Sequence, residues 1–165
     1  MKLNYLITLF LVFFTLPLAA DIMIKDAFAV TSTPKSKSGA IFMVIHNHGK
    51  NIDRLLSAET AISKMAQLHS SEMEGDVMKM VHVKEGFEVL SYGHLNLEPG
   101  GKHIMLMGLS ETLKKDSYFN LTLEFENAGQ IEVEVIYKGS AKVMKKMDHL
   151  LHNEMLSLDF KNKIC

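Results

Sequence analysis

Hydrophobic and polar residues alternate in short runs along most of this chain, and Gly, Pro, Asn and Ser separate the runs. Successive side chains of a β-strand face opposite sides of a sheet, so alternation with a period of two predicts strands. We predict strands over residues 22–30, 40–47, 54–62, 65–69, 77–83, 87–90, 94–97, 102–109, 118–126 and 130–138. The polar stretch 70–76, which contains Gly75, is predicted to be a loop.

Short strands without a long helical pattern between them indicate one all-β domain, an antiparallel β-sandwich that covers residues 21–140. The character of the chain changes in residues 141–165, where apolar residues recur at helical spacing among lysines. This C-terminal tail is predicted to be either a short amphipathic helix or a flexible end. Its candidate metal ligands are Met144, Met147, His149, His152 and Met155.

The first twenty residues have the layout of a secretory signal peptide. Lys2 supplies a positive start, an apolar run covers residues 6–18, and the small residues Ala19 and Ala20 follow. The run is short for a membrane span of about 20 residues. We therefore expect export to the periplasm with cleavage after Ala20, the alternative being an uncleaved anchor.

Composition narrows the function classes. The formal net charge of −1 gives no reason to expect a nucleic-acid partner. The single cysteine, Cys165, cannot form an internal disulfide or join a blue-copper centre with histidines that are far away in sequence. No Ser-His-Asp arrangement or carboxylate pair indicates a hydrolase, and we expect no enzyme activity. The chain has twelve methionines and no tryptophan, which raises the question whether some methionines are ligands.

Four residues form the candidate site. His69 ends a predicted strand, Met80 follows on the next strand, and His103 and Met105 alternate along a later one. Because alternate side chains share a face, His103 and Met105 are expected to point the same way, with Met107 continuing that side. A return of the chain is expected to bring the four together at one end of the sandwich.

Imidazole and thioether are the ligands that the soft ion Cu(I) accepts. Zn(II) prefers nitrogen, thiolate and carboxylate, so a thioether-rich site favours Cu(I). Single methionines are more often core residues, and we assign Met43 and Met65 to the core. His82 and His94 are expected on the surface, and Met73, Met78 and Met107 are candidate auxiliary ligands.

These residues resemble the periplasmic copper chaperones of the PCuAC family, which supply copper for the CuA centre of cytochrome c oxidase. In that family a His and a Met with ten residues between them are followed by His-x-Met. Here His69 and Met80 have ten residues between them, and His103-Ile104-Met105 closes the pattern. The interval from Met80 to His103 is one residue longer than usual. Residues 97–109 are also similar to the family's most characteristic segment, with the sequence LEPGGKHIMLMGL.

The resemblance implies a cupredoxin-like Greek-key sandwich that binds one Cu(I) through His69, Met80, His103 and Met105. It implies copper transfer rather than catalysis, with the CuA subunit of cytochrome c oxidase or another copper chaperone as acceptor. Many relatives have a Met- and His-rich tail that binds additional copper, sometimes as Cu(II), and residues 141–165 are a sparse version of it. Copper buffering without an acceptor, and a metal-free interaction module, stay open as alternatives.

Overall fold

The computed structural model describes residues 21–110 and 112–140, and these residues form strands joined by short turns. The predicted signal peptide and the predicted tail lie outside the described residues. The strands are β1 (Ile22–Thr31), β2 (Ser38–Asn47), β3 (Asp53–Glu59), β4 (Ser63–Glu74), β5 (Val77–His82), β6 (Phe87–Val89), β7 (His94–Leu97), β8 (His103–Leu109), β9 (Tyr118–Phe125) and β10 (Gly129–Ser140). The all-β sandwich predicted from the alternation is confirmed.

The strands follow the order β5-β4-β8-β2-β1-β10-β9-β3-β6, with β7 pairing with β2 beside β8. A further pairing joins β4, next to one end of this order, to β3, next to the other end. It is formed by Ala58 and Ala66. Strands β1 and β10 run parallel, whereas the other pairs are antiparallel. One layer of the sandwich therefore contains β5, β4, β8, β7, β2 and β1, and the other contains β10, β9, β3 and β6.

The core lies between the two layers and takes alternate residues of most strands, whereas every residue of β5 is exposed. From the first layer it receives Ile41, Leu68, Ile104 and Leu106, and from the second Leu55, Leu121, Leu123 and Val135. Met43 is also buried, as predicted. Since Leu68, Ile104 and Leu106 face the core, the residues next to them on β4 and β8 face outward.

Two local predictions were wrong. Residues 70–74, predicted to be loop, continue β4, and only Gly75 and Asp76 form the turn into β5. Gly75 has φ of 62°, a left-handed conformation that glycine adopts at little cost. Met65, predicted to be core, is 52% exposed on the outer face of β4. The end of this hairpin projects past the core, so residues 70–74 are mostly polar on both faces and lack the alternation that identifies a strand.

No helix in the described ranges is long and apolar enough to cross a membrane.

Replacement of Leu121 by Ala should lower the free energy of unfolding by about 2–5 kcal/mol, because Leu121 is fully buried in the central cluster. Leu56→Ala on β3 is the matched control, since Leu56 is 41% exposed and should cost about 0.5 kcal/mol. Urea unfolding followed by circular dichroism measures both. Equal losses in the two variants would contradict this assignment of the core.

Candidate metal centre

The pairing of β4 with its two neighbours places the predicted ligands. His69 on β4 is directly opposite His103 on β8 and directly opposite His82 on β5. Residues that are directly opposite share a face of the sheet, so all three imidazoles lie on the outer face. The ring centroids of His69 and His103 are 5.9 Å apart, and those of His69 and His82 are 5.5 Å apart.

These imidazoles belong to a row of rings that crosses the outer face. Phe42 of β2 lies beside His103, with the ring centroids 6.3 Å apart, and Phe28 of β1 follows at 5.4 Å from Phe42. Packing between Phe42 and His69 leaves His103 only 3% exposed, although it lies on the outer face. Exposure then increases outward along the row, since His69 is half-buried and His82 is exposed.

The hydrogen bonds of the two predicted histidine ligands leave one nitrogen of each ring free. His103 Nδ1 lies 3.0 Å from the carbonyl oxygen of Gly101, and His69 Nδ1 lies 3.3 Å from that of Gln67. A carbonyl only accepts, so each Nδ1 carries the proton and each Nε2 keeps its lone pair. Metal-binding histidines are commonly oriented in this way, with the other ring nitrogen donating to a carbonyl.

The nitrogen His103 Nε2 is buried and has no hydrogen-bond partner among the described residues. Burying an unpaired polar atom costs about 1–3 kcal/mol, so such an atom needs an explanation. A metal ion would supply the missing partner. The residues present therefore fit a metal that accepts imidazole nitrogen at this point of the face.

The carbonyl that orients His103 is itself held in place. Gly101 O accepts a second hydrogen bond from the backbone N–H of Ser71, at 3.2 Å. The turn from residue 98 to 102 is closed by hydrogen bonds between Glu98 and Lys102 and between Gly101 and Glu98. Gly100, in the middle of the turn, has φ of 80°, where a residue with a side chain would be strained. The turn between β7 and β8 thus fixes the His103 ring relative to β4.

The two predicted thioethers lie on the same face but on opposite sides of His69. Met105 is opposite Gln67, and Met80 is opposite Ser71, so each is a diagonal neighbour of His69. Diagonal neighbours in a sheet are roughly 7–8 Å apart, within reach of a long side chain. Met80 is 62% exposed and can turn toward His69 through its flexible side chain. His69 is therefore the centre around which the other three are arranged.

The position of His82 was not predicted from the sequence. It pairs with His69 because the β4–β5 turn consists of Gly75 and Asp76, which sets the register of the hairpin. Gly75 was the available signal, but the polar sequence around it favoured a longer loop. His82 is thus a further imidazole beside His69.

No three His, Cys, Asp or Glu side chains within residues 21–110 and 112–140 are already placed as a metal chelate. Besides Met80 and Met105, the registers of β4, β5 and β8 place four further methionines on the same face. They are Met65, Met73, Met78 and Met107.

An all-β sandwich with this outward row of histidines and methionines defines a PCuAC-type domain, and comparison with known proteins agrees. The copper-bound PCuAC domain of PmoF2 superimposes with a TM-score of 0.60 at 18% identity, covering 72% of this chain and 93% of that domain. The CuI form of DR1885 from Deinococcus radiodurans has a TM-score of 0.50 at 27% identity, covering 74% of this chain and 83% of that one. The cupredoxin-like fold expected from the resemblance is confirmed.

The chain belongs to the LpqE-like family, whose model matches residues 22–136. A curated relative is Lxx21020 of Leifsonia xyli subsp. xyli, which has the name of a lipoprotein, and the two are 31% identical over 99 residues. That match covers 60% of this chain and 60% of the relative, so the chain spans less than two thirds of that protein.

Replacement of His103 by Leu should change the free energy of unfolding by no more than about 1 kcal/mol in the absence of metal. The variant loses one hydrogen bond but also removes an unpaired buried nitrogen, and these effects offset each other. Gly101 O keeps its bond from Ser71. Thermal unfolding in the presence of a chelator measures the change, with His103→Ala as the cavity-forming comparison. A loss above about 2 kcal/mol in His103→Leu would indicate a structural histidine instead.

Proposed function

We propose that this protein is an extracytoplasmic copper chaperone that binds one Cu(I) through His69, Met80, His103 and Met105 and passes it to an acceptor protein. The observation that carries the proposal is the pair of adjacent imidazoles whose Nδ1 atoms are satisfied and whose Nε2 atoms remain available. Such a pair, with a thioether on each side, is a donor set for a soft monovalent ion. The PCuAC domain of PmoF2 and DR1885 have both been solved with copper bound.

The gradient of exposure across the face suits transfer better than permanent storage. His103 is buried at one end and anchors the ion, whereas Met80 is largely exposed at the other. An acceptor that approaches from the β5 side can displace Met80 first and then His69. The ion thus moves by stepwise exchange of ligands, without a stage in which it is free in solution. This is a binding and transfer function, and no catalytic step is proposed.

The CuA subunit of cytochrome c oxidase, or another copper chaperone, is the proposed acceptor. A location outside the cytoplasm, in the periplasm, is supported by the signal-like residues 1–20 and by the lipoprotein name of the relative Lxx21020. Thioethers are suited to that compartment, because they bind copper without forming the disulfides to which thiolates are oxidised there.

The Met80→Ala/His103→Ala variant should bind Cu(I) at least tenfold more weakly than the parent, a loss of about 1.4 kcal/mol or more. Both the buried imidazole and the exposed thioether are then absent. Anaerobic competition against a chromogenic Cu(I) chelator measures the affinity and the stoichiometry. Met65→Ala is the control, since Met65 lies on the same face but outside the four ligands. A parent that fails to compete, or a double variant that competes equally well, would sink the proposed site.

Copper buffering is a second candidate, favoured by the number of thioethers on the face. Six methionines and three histidines share the outer side of β4, β5 and β8, which is more than one ion requires. A buffer would take up several Cu(I) ions and lose capacity when Met65 or Met73 is removed. A chaperone binds one tight equivalent, and that equivalent persists in both variants.

Copper-loaded protein mixed with the soluble CuA domain should lose its copper to that domain, because thiolate ligands of the acceptor bind Cu(I) more tightly than thioethers. Chromatographic separation followed by metal analysis of each protein measures the transfer. Met80→Ala, loaded at saturating copper, should transfer at a different rate, since Met80 is the ligand that the acceptor displaces first. Copper that stays on the chaperone in the presence of excess acceptor would count against this partner and in favour of another chaperone or buffering.

A further inference from the structure

A second group of histidines lies on the outer face, away from the site described above. His46 on β2 is directly opposite His94 on β7 and directly opposite Met23 on β1. The ring centroids of His46 and His94 are 6.0 Å apart, and those of His46 and His48 are also 6.0 Å apart. Three imidazoles and one thioether thus lie beside one another at this end of the sheet.

The backbone holds these residues on one face. The stacked rings of His46 and His48 lie on the same side of the sheet, and His94 faces His46 across the β2–β7 pair. The end of β2 is anchored, because Asn47 N donates to Gly93 O at 2.9 Å and His48 N donates to Asp21 O at 2.8 Å. The Cα positions of the three histidines are therefore fixed by strand pairing and by these two bonds.

These imidazoles serve no visible structural purpose. None of the three rings has a hydrogen bond to another group of the described chain, and none packs in the core. Partial burial, with the nearby charges of Lys25, His48 and His94, lowers the pKa of His46 below its ordinary value. A lowered pKa favours the neutral imidazole, which is the form that binds metal.

His46 near the end of β2, His48 just beyond that end and His94 across the β2–β7 pair lie on one side of the sheet. We propose that Met23, His46, His48 and His94 form a second metal site, which takes a divalent ion that prefers imidazole and binds Cu(II) more tightly than Zn(II). The order follows from the general rise in affinity toward copper among divalent ions.

The rings do not converge on one point as they are placed, since those of His46 and His48 are stacked with an angle of 7° between them. His48 and His94 are exposed, so each ring can rotate to another staggered conformation without repacking the core. Met23, 45% exposed, can approach from the β1 side. Binding therefore requires side-chain rotation on a fixed backbone.

The second site is separate from the first. On β2, His46 is four residues from Phe42, the residue that packs against His103, which corresponds to roughly 13 Å along the strand. Val44 lies between them, with Lys25 and Asn96 on the neighbouring strands. One ion cannot contact both groups, so each can be removed without touching the other.

The test titrates Cu(II), in the absence of reductant, into a His69→Ala/His103→Ala variant that lacks the first site. One Cu(II) should bind, with nitrogen hyperfine structure in its electron paramagnetic resonance spectrum. Adding His46→Ala/His94→Ala should weaken that binding at least tenfold. Asn96→Ala, an exposed change on β7 between the two groups, is the matched control and should bind as its background does. An equimolar amount of Zn(II) should not displace the Cu(II).

Three results would overturn the proposal. One is the absence of Cu(II) binding in the His69→Ala/His103→Ala variant. Another is binding that His46→Ala/His94→Ala leaves unchanged, which would assign the ion elsewhere, such as to His149 and His152. The third is displacement by equimolar Zn(II). If the His69→Ala/His103→Ala variant does not fold, His46→Ala/His94→Ala is made in the parent protein instead. That change should remove one equivalent of bound Cu(II) with nitrogen ligands.

Discussion

The pairing of β4 with β8 on one side and β5 on the other is the constraint on which the candidate site depends. It places His69 between His103 and His82, and it keeps Leu68 and Ile104 in the core. Because side chains alternate, a slip of one residue would bury His69 and expose Leu68. The apolar residues of β4 and β8 therefore secure the register, and the register in turn secures the ligands.

The face built on this register combines a rigid end with an open one. His103 is packed beside Phe42 and oriented by the carbonyl of Gly101, which the turn between β7 and β8 and the N–H of Ser71 hold in place. Met80 projects from a hairpin whose strands have water on both sides. A buried nitrogen without a partner lowers stability, and keeping it at the rigid end is understandable if that nitrogen serves binding.

Strand β2 connects this site with the second histidine group. Its outward residues run from Phe42, beside His103, through Val44 to His46, opposite His94. The two groups differ in chemistry, since thioethers surround His69 whereas imidazoles dominate around His46. Soft and borderline ions would accordingly be separated along a single face of the sandwich.

The sequence by itself determined the all-β class and most strand positions, because alternation and spacing are local properties. It also supplied the histidines and methionines of the candidate site. It placed His103 and Met105 on one side of a strand, as β8 has them. It failed for residues 70–74, because a hairpin exposed on both faces has no hydrophobic alternation to read. It failed for Met65, because a methionine on the outer face, opposite Met107, has the same apolar character as one in the core.

Only the tertiary structure decided which strands are neighbours. His69 meets His103, and His46 meets His94, through pairings between segments that are distant in sequence. Register between such strands depends on how the whole core packs, so no local pattern records it. For the same reason, only the assembled sheet revealed the unpaired nitrogen of His103, whose burial comes from Phe42 and His69.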